Sequence, residues 1–526
     1  MTDQSAAKWL LRIEERGNPG TDIDQVGDVD GSWVEGNLVR PLIHGATYFR
    51  RLYEELCALR AGDRVYFTDW RGDADEQLLP DGPAIGAALI ELVRRGVEVR
   101  ALLWRSHSDH LRFSARENRK LGTRLNAAGA EVLLDQRVRM LGSHHQKLFV
   151  IRHHGPERDL AFVGGIDLCH QRRDDHQHRG DPQRAPMDRR YGDRTPWHDA
   201  VLEIHGPVVG DLLRTFCERW DDGHPLDRRT PYRMVVQRLA RMPRHPEPLP
   251  ESFPDPPPAG PHTVQVLRTY GHKRPGYPFA PLGERSVARA YEKAFRNARR
   301  LIYVEDQYLW SELIAQGIHD ALARAPDLRV IVVVPRYPDN DGRLSGPPAR
   351  LGQLHAVRLL QRFAPGRVGV FDLENGEGTP IYVHAKICIV DDVWFTCGSD
   401  NFNRRSWTCD SELTCAVLDT ETTGDGETRR LARDLRLEVW SEHLGRSRDR
   451  LAGLSPAAGF DLWKRTAATL DAWHAGGRRG TRPPGQVRAH RTEPVSRLQA
   501  LWAEPLYRLI YDPDGRPHHL RGSTTF

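Results

Sequence analysis

The sequence predicts an α/β protein made of two duplicated α/β/α halves with mixed, largely parallel sheets. Three observations carry this prediction. Short β-branched runs alternate with longer stretches of helical periodicity, the pattern of layered α/β folds. The same order of elements is written twice at a steady offset, with Tyr66 and Tyr303 237 residues apart and His145 and His384 239 apart. Prolines crowd the stretch between Met242 and His262 (Pro243, Pro246, Pro248, Pro250, Pro254 and Pro256 to Pro258), which can sustain neither helix nor ladder and so divides the copies.

In chain order, residues 1–35 form a polar extension with no apolar run of signal-peptide length. The first half spans residues 36–227. Its run Val65 to Thr68 ends in Asp69-Trp70, a helix follows from Ala84 to Arg95, and a strand from Val97 to Trp104 comes next. A second helix around Ser114 to Ala128 and a short strand, Glu131 to Leu134, lead to a His-x-Lys segment. Residues 228–262 are the Pro-rich linker. The second half, 263–450, repeats the order: Leu301 to Val304 ending in Glu305-Asp306-Gln307-Tyr308, a helix near Ser311 to Ala325, the strand Arg329 to Val334, a helix around Ala349 to Phe363, and the strand Val368 to Phe371 before its own His-x-Lys. The tail, 451–526, holds Trp463, Trp473 and Trp502 amid Arg and Pro, a composition equally suited to packing on the core or touching a membrane surface.

Composition narrows the function. A chain of 526 residues exceeds one ordinary core, and 39% hydrophobic with 28% charged residues is a globular balance. A net charge of +5, from 76 basic and 71 acidic residues, is too weak to argue for nucleic acid. No run of about 18 apolar residues occurs, so no transmembrane helix is expected and any membrane is met from the water side. The seven cysteines are scattered without a CxxC pair, which reads as reduced, mostly buried thiols, a cytoplasmic setting and no metal site. The His- and Asp-rich segment from Asp174 to Asp193, with His176 and His178, reads as a solvated loop near the mouth of the site rather than a metal centre.

The chemistry lies in the paired His-x-Lys segments, Ser143-His144-His145-Gln146-Lys147 and Tyr382-Val383-His384-Ala385-Lys386. Both run into β-prone residues, and strand alternation puts His145 with Lys147, and His384 with Lys386, on one face. Only seven lysines exist, so chance supplies roughly 0.3 such spacings in the chain, against two found in register. The second copy continues to His-x-Lys-x-x-x-x-Asp. Asp391 is therefore a candidate position of the catalytic motif, although its odd step from Lys386 turns it off the His–Lys face toward a structural role at the strand end. The first copy has Arg152 there, and by the same parity Arg152→Asp should leave chemistry at His145 intact. Glycine turns follow each segment, Gly164-Gly165 and Gly398-Ser399-Asp400-Asn401, and let backbone N–H groups approach an anion. Gly165, Gly398, Ser399 and Asn401 are thus candidate phosphate contacts. One further acid stands in each half, Asp199 and Glu412, and an imidazole at work needs a carboxylate on its second nitrogen.

These motifs resemble the phospholipase D superfamily with its paired HxKxxxxD signature. Leu301-Ile302-Tyr303-Val304-Glu305-Asp306-Gln307-Tyr308-Leu309, Phe162 to Cys169, Gly398-Ser399 with Arg404-Arg405-Ser406, and Glu442-His443-Leu444-Gly445 resemble its eukaryotic-type, phosphatidylcholine-hydrolysing branch. Two residues depart: Arg152 replaces the first motif's Asp, and Asp167 stands where some bacterial members have a phosphate-binding Asn. The resemblance implies a site at the interface of two pseudo-twofold halves. His145 would form a phosphohistidine, His384 would serve as acid and base, and Lys147, Lys386 and Asn401 would neutralise charge without metal or other cofactor. It implies a phospholipid substrate met peripherally at a membrane surface, water or an alcohol as acceptor, and a monomer that does not bind nucleic acid. The regulatory lipid-binding modules of eukaryotic members need more residues than precede the first half, so targeting through them is not expected. The rival readings are a cardiolipin-type phosphatidyl-transferase, a nuclease and a lipid-binding pseudoenzyme.

Overall fold

The computed structural model describes residues 3–23, 32–106, 115–226, 245–250, 254–339, 346–424 and 428–526, together with 235, 238, 239 and 426. The first half contributes β1 (Val34–Ile43), β2 (Arg64–Asp69), β3 (Glu98–Trp104), β4 (Glu131–Asp135), β5 (Leu148–Arg152), β6 (Leu160–Gly164), the two-residue β7 (Trp197–His198) and β8 (Ala200–His205). The second contributes β9 (His262–Tyr270), β10 (Glu284–Arg285), β11 (Leu301–Glu305), β12 (Arg329–Val333), β13 (Val368–Glu374), β14 (Pro380–Val383), β15 (Ile387–Val390), β16 (Trp394–Gly398), β17 (Glu412–Asp419) and, from the tail, β18 (Val487–Ala489).

The duplication holds strand by strand. The first sheet runs β4–β3–β2–β5–β6–β8–β1. The second runs β13–β12–β11–β15–β16–β17–β9. Both are mixed, as expected, with a smaller parallel share than the sequence pattern implied: only β2, β3 and β4, and their counterparts β11, β12 and β13, run parallel, and every other neighbour in these two rows is antiparallel. The reason is connection length. Crossover helices join the parallel strands, whereas short links join β5 to β6 and β15 to β16, which tight turns can only pair antiparallel. The edges β1 and β9 pair with each other, Val34 opposite Val264, and so tie one sheet to the next.

Strands such as β5 (LFVIR) and β15 (ICIV) are buried on both faces. Outer faces pack on the helices Gly45–Ala58, Ile85–Arg94 and Ala115–Ala127 in one half and Ser286–Asn297, Glu312–Arg324 and Gly346–Phe363 in the other. Inner faces share one core with the helices Val208–Trp220 and Arg430–Leu444. A continuous apolar run on a strand is what such two-sided burial requires.

The tail packs on the core: Trp463 is fully buried beside Tyr303 and Trp440, and β18 extends the edge of β13. Five of the seven free cysteines are buried, Cys217 is half-buried and Cys57 is exposed. Much of the expected linker, including Met242 and Pro243, lies outside the described residues, and Pro246 to Pro250 and Pro254 to Ala259 form neither helix nor strand. No helix among the described residues is long and apolar enough to cross a membrane.

Arg152 and Asp391 occupy equivalent ends of β5 and β15 and each locks a turn. Asp391, with positive φ, accepts N–H bonds from Arg299, Arg300 and Leu301 at 2.7, 2.8 and 2.8 Å. Arg152 is buried against Asp159 (Nε–Oδ2 2.5 Å) and donates to the Pro254 carbonyl at 2.6 Å. The expectation that Arg152→Asp spares the chemistry at His145 concerns turnover; these contacts add a cost in stability. The substitution sets two carboxylates together in the interior and should lower the denaturant midpoint by an amount equivalent to about 3 kcal/mol. The folded fraction should keep the His145–Glu412 geometry, as read by denaturant titration alongside a crystal structure.

Candidate active site

The His-x-Lys segments stand just outside the strands expected to carry them: β5 begins at Leu148 and β15 at Ile387. Both segments leave their sheets to bridge the halves. His144 pairs in parallel with Ser411, while the Ser411 amide donates to the Ser143 carbonyl and the His145 amide to the Ser411 carbonyl, each at 2.9 Å. In the other direction, β14 pairs in parallel with β7, placing Tyr382 opposite Trp197 and Val383 opposite His198, and the His384 amide donates to the His198 carbonyl at 2.7 Å. In both bridges the residue before the histidine faces the residue before an acid.

The acids are consequently exchanged. His145 Nδ1 lies 2.9 Å from Glu412 Oε2 of the second half, and His384 Nδ1 lies 2.7 Å from Asp199 Oδ2 of the first. Such a carboxylate fixes the tautomer with hydrogen on Nδ1 and leaves Nε2 as the available base or nucleophile. Ser399 Oγ donates to Glu412 Oε2 at 2.5 Å, and Trp197 Nε1 approaches Asp199 Oδ2 at 3.4 Å.

Lys147 Nζ contacts Asp167 Oδ1 at 3.1 Å and donates to the His145 carbonyl at 2.9 Å. Lys386 Nζ lies 3.0 Å from His384 Nδ1 and donates to the His384 carbonyl. Burial, then both ammonium groups, hold the His145 imidazole well below the ordinary histidine range. Burial, Lys386 and Arg172, with Lys147 adding to them, do the same for His384. Each imidazole thus feels the cations of both halves. Burial lowers Lys386 to about 8 despite Asp199 and raises Glu412 to about 7 against its bond to Ser399. Asp167 is depressed in spite of burial, because Lys147, Arg172 and both imidazoles surround it.

Three expected phosphate contacts are spent within the protein. The Gly165 amide donates to the Ala200 carbonyl, Gly398 to Lys386, and Ser399 to Leu413, at 2.9, 3.4 and 2.9 Å. The glycines serve close packing instead: a Cβ on Gly165 would sit 2.2 Å from Asp199 Oδ1, and one on Gly398 2.1 Å from Thr414 Oγ1. Asn401 differs: its buried Oδ1 has no hydrogen-bond partner, and since that oxygen can only accept, a phosphate contact would come from Nδ2. Asp391, counted among the candidate catalytic positions, stands at the far end of β15 from Lys386 with its carboxylate occupied by backbone amides, as the parity of the motif implied. Sequence reasoning passed over Arg172, whose guanidinium lies 3.3 Å from Asp167 Oδ2 and 4.0 Å from the centre of the Trp197 ring. Trp197 in turn packs on Tyr382 and His384, with centroids 4.8 and 4.9 Å away. One arginine among so many carries no signal in a single sequence. The segment thought to be solvated is also anchored, with Asp174, His178, Asp181, Asp188 and Tyr191 buried and His176 exposed.

A family model described as "Phospholipase D" matches residues 59–247, and one described as "Cardiolipin synthase, PLD-like domain" matches residues 291–429. Phospholipase D alpha 2 of Oryza sativa subsp. japonica is 26% identical over 550 residues, covering 77% of this chain and 65% of the relative. Phospholipase D2 of Bos taurus is 26% identical over 577 residues, covering 88% of this chain and 59% of the relative. The chain thus spans less than two thirds of the length of these relatives. A crystal structure of phosphatidylserine synthase from Haemophilus influenzae Rd KW20 aligns over 73% of this chain and 82% of its own at a TM-score of 0.49 and 16% identity.

The exchanged acids give an asymmetric expectation. Asp199→Asn should remove the hydrogen-bonded Nδ1–H signal of His384 and spare that of His145, and Glu412→Gln should do the reverse. Nitrogen-15 NMR of ring-labelled histidines reads both, and a loss confined to the histidine of the same half would contradict the crossing.

Proposed function

Because this chain belongs to the phospholipase D superfamily, we propose that it is a phosphodiesterase that cleaves phosphatidylcholine-like glycerophospholipids to phosphatidic acid and the head-group alcohol. The observation that carries this reading is the crossed centre: two imidazoles, each oriented by a carboxylate of the opposite half and each under the influence of two ammonium groups. Two basic nitrogens serve a displacement in two steps better than one, since a nucleophile and a proton donor are needed at once.

Neutral His145 attacks phosphorus through Nε2 while its Nδ1–H is held by Glu412. The bond from phosphorus to the head-group oxygen breaks, and His384 gives that oxygen a proton. Water then attacks the phosphohistidine, His384 takes the proton back, and phosphatidate leaves as His145 is restored. A primary alcohol in place of water gives the exchanged phospholipid. In the empty centre the cations disfavour a protonated imidazole. The monoanionic phosphodiester offsets that positive potential on binding, so His384 can hold the proton it must donate. Lys147, Lys386 and Arg172 surround the place where the negative charge of the transition state collects, with Asn401 as a further neutral contact. The reaction is met from a membrane surface, water side first.

The alternative product, a phosphatidyl-transferase lipid, differs only in the acceptor. One assay separates the readings: mixed phospholipid vesicles incubated with the protein, with and without a primary alcohol, and products identified by mass. Phosphatidate, joined by phosphatidyl-alcohol when the alcohol is present, is the expected result. No lipid product from the vesicles, with nucleotides released when single-stranded DNA replaces them, would overturn the reading.

His145→Ala and His384→Ala should each lower kcat by about four orders of magnitude or more, as removal of a member of a concerted catalytic unit does. Turnover near the parent rate in either variant would remove its residue from the mechanism. The pH profile has a defined sign. kcat/KM needs a neutral His145, which lies below the usual histidine value, so the acid limb should have its midpoint under pH 6.5. His384 must carry its proton and is lowered by burial, Lys386 and Arg172. The charged Lys386 is itself lost near pH 8, so the alkaline limb should lie no higher than that. Initial rates on short-chain lipid between pH 4 and 10 check both limbs.

A further inference from the structure

Behind the acid that holds His384 lies a second concentration of imidazoles that the mechanism above does not use. His198, the residue before Asp199, is buried together with His44, His178, His443, Glu305 and the partly covered Glu442. His44 comes from the end of β1, His178 from the anchored loop, His198 from β7, and Glu442 and His443 from the helix Arg430–Leu444 of the other half. One ligating atom from each of His44, His178, His198 and Glu442 lies within 4.8 Å of the others.

The hydrogen bonds around the cluster fix which nitrogens face inward. Glu305 sits 2.7 Å from His198 Nε2 and 2.8 Å from His443 Nε2, and it also accepts from Tyr303. In its neutral form His198 therefore carries hydrogen on Nε2, and its Nδ1 is a bare lone pair. That Nδ1 is buried, has no hydrogen-bond partner, and lies 3.8 Å from Glu442 Oε1. His178 Nδ1 is 3.1 Å from the Trp197 carbonyl, which can only accept, so its hydrogen is there and the Nε2 lone pair faces Glu442 Oε1 at 2.8 Å. His44 Nε2 faces the other oxygen, Oε2, at 2.8 Å. His44 Nδ1 has no hydrogen-bond partner, so neutral His44 can donate from Nε2 to Oε2. The inward lone pairs of neutral His178 and His198, by contrast, face the same anion, a crowding that an added proton or a cation relieves.

We infer that His44 Nε2, His178 Nε2, His198 Nδ1 and a Glu442 oxygen bind a divalent ion of the zinc type at a buried structural site. Three imidazoles and a carboxylate are a borderline donor set that suits zinc, and four protein ligands close the shell as in structural sites. Tetrahedral zinc needs donors roughly 3.3 Å apart, between the 2.8 and 3.8 Å separations found here. The outer contacts match the habit of metal-bound histidine: His198 leans on the Glu305 carboxylate and His178 on a backbone carbonyl. A divalent ion would offset the charges of Glu305 and Glu442 and take the place of the proton that Asp174 and Glu442 otherwise draw onto His178. The ion would join the first half to the second and brace the strand whose next residue is Asp199. This site is independent of the lipid reading, and no chemical step passes through it.

The test uses the full chain, untagged, loaded with zinc sulfate and dialysed against metal-free buffer, with ion content measured by plasma mass spectrometry. About one ion per chain is expected. Glu442→Gln and His178→Gln should fall to background, and His176→Ala, at an exposed neighbour in the same loop, should keep the ion. Replacement by cobalt should give the intense visible bands of a tetrahedral ion. Stripping the parent protein with dipicolinate should lower its unfolding midpoint by roughly 5–10 °C, restored by zinc, a readout that stands even where a variant fails to fold. A parent protein that holds no stoichiometric zinc after loading, or whose cobalt form is octahedral, overturns the assignment. It would show instead that protons on these imidazoles resolve the repulsion. Lipid turnover is not a readout here, so failure of this site and failure of the proposed activity are separately visible.

Discussion

The arrangement depends on two short parallel bridges that exchange acids between the halves. His144 against Ser411, and Val383 against His198, are single pairs of residues, yet each sets the position immediately before a histidine beside the position immediately before an acid. Side-chain direction then follows from the backbone, and Nδ1 to carboxylate distances of 2.9 and 2.7 Å result on both sides. Neither His145 nor His384 finds its carboxylate within its own half. Duplication of one unit therefore does not yield two sites; it yields one, assembled only when the halves meet.

Burial is what gives this assembly its chemistry. Imidazole, ammonium and carboxylate groups crowd a region largely removed from water, where charges interact more strongly and unpaired ones cost several kcal/mol. The two ammonium groups hold the imidazoles neutral, and Asp167 and Asp199 stand beside them as counter-charges.

Much of the fold was legible because the signals were local. Strand and helix order in both halves, the duplication and the His-x-Lys pairs follow from periodicity and spacing, and the observed helices Glu312–Arg324 and Ala115–Ala127 lie where periodicity placed them. What escaped was non-local. No spacing rule says that Asp199 belongs to His384 rather than to His145, because the bridge that decides it joins residues 185 apart. The glycine turns misled for a related reason. Gly165 and Gly398 are needed for close approach, as supposed, but what approaches is Asp199 and Thr414, not an anion. Likewise His178 looked like part of a polar surface loop because its partners, Trp197 and Glu442, come from distant elements.

The unlike residues at the ends of the two motifs show what the motif itself consists of. Asp391 and Arg152 sit at the same distance beyond Lys386 and Lys147, carry opposite charge, and both point away from the centre. One fastens the turn before β11 through three amides, and the other fastens Asp159 and the chain at Pro254. The need common to both positions is a buried, hydrogen-bonded polar group that pins the strand end. An acid meets it where amides converge, and a guanidinium meets it where an acid and a carbonyl converge. In both copies the fifth residue beyond the lysine answers to the packing of its own half. That local role explains how the first half can lose the acid of its motif and still present His145 to Glu412 in the geometry that His384 shows toward Asp199.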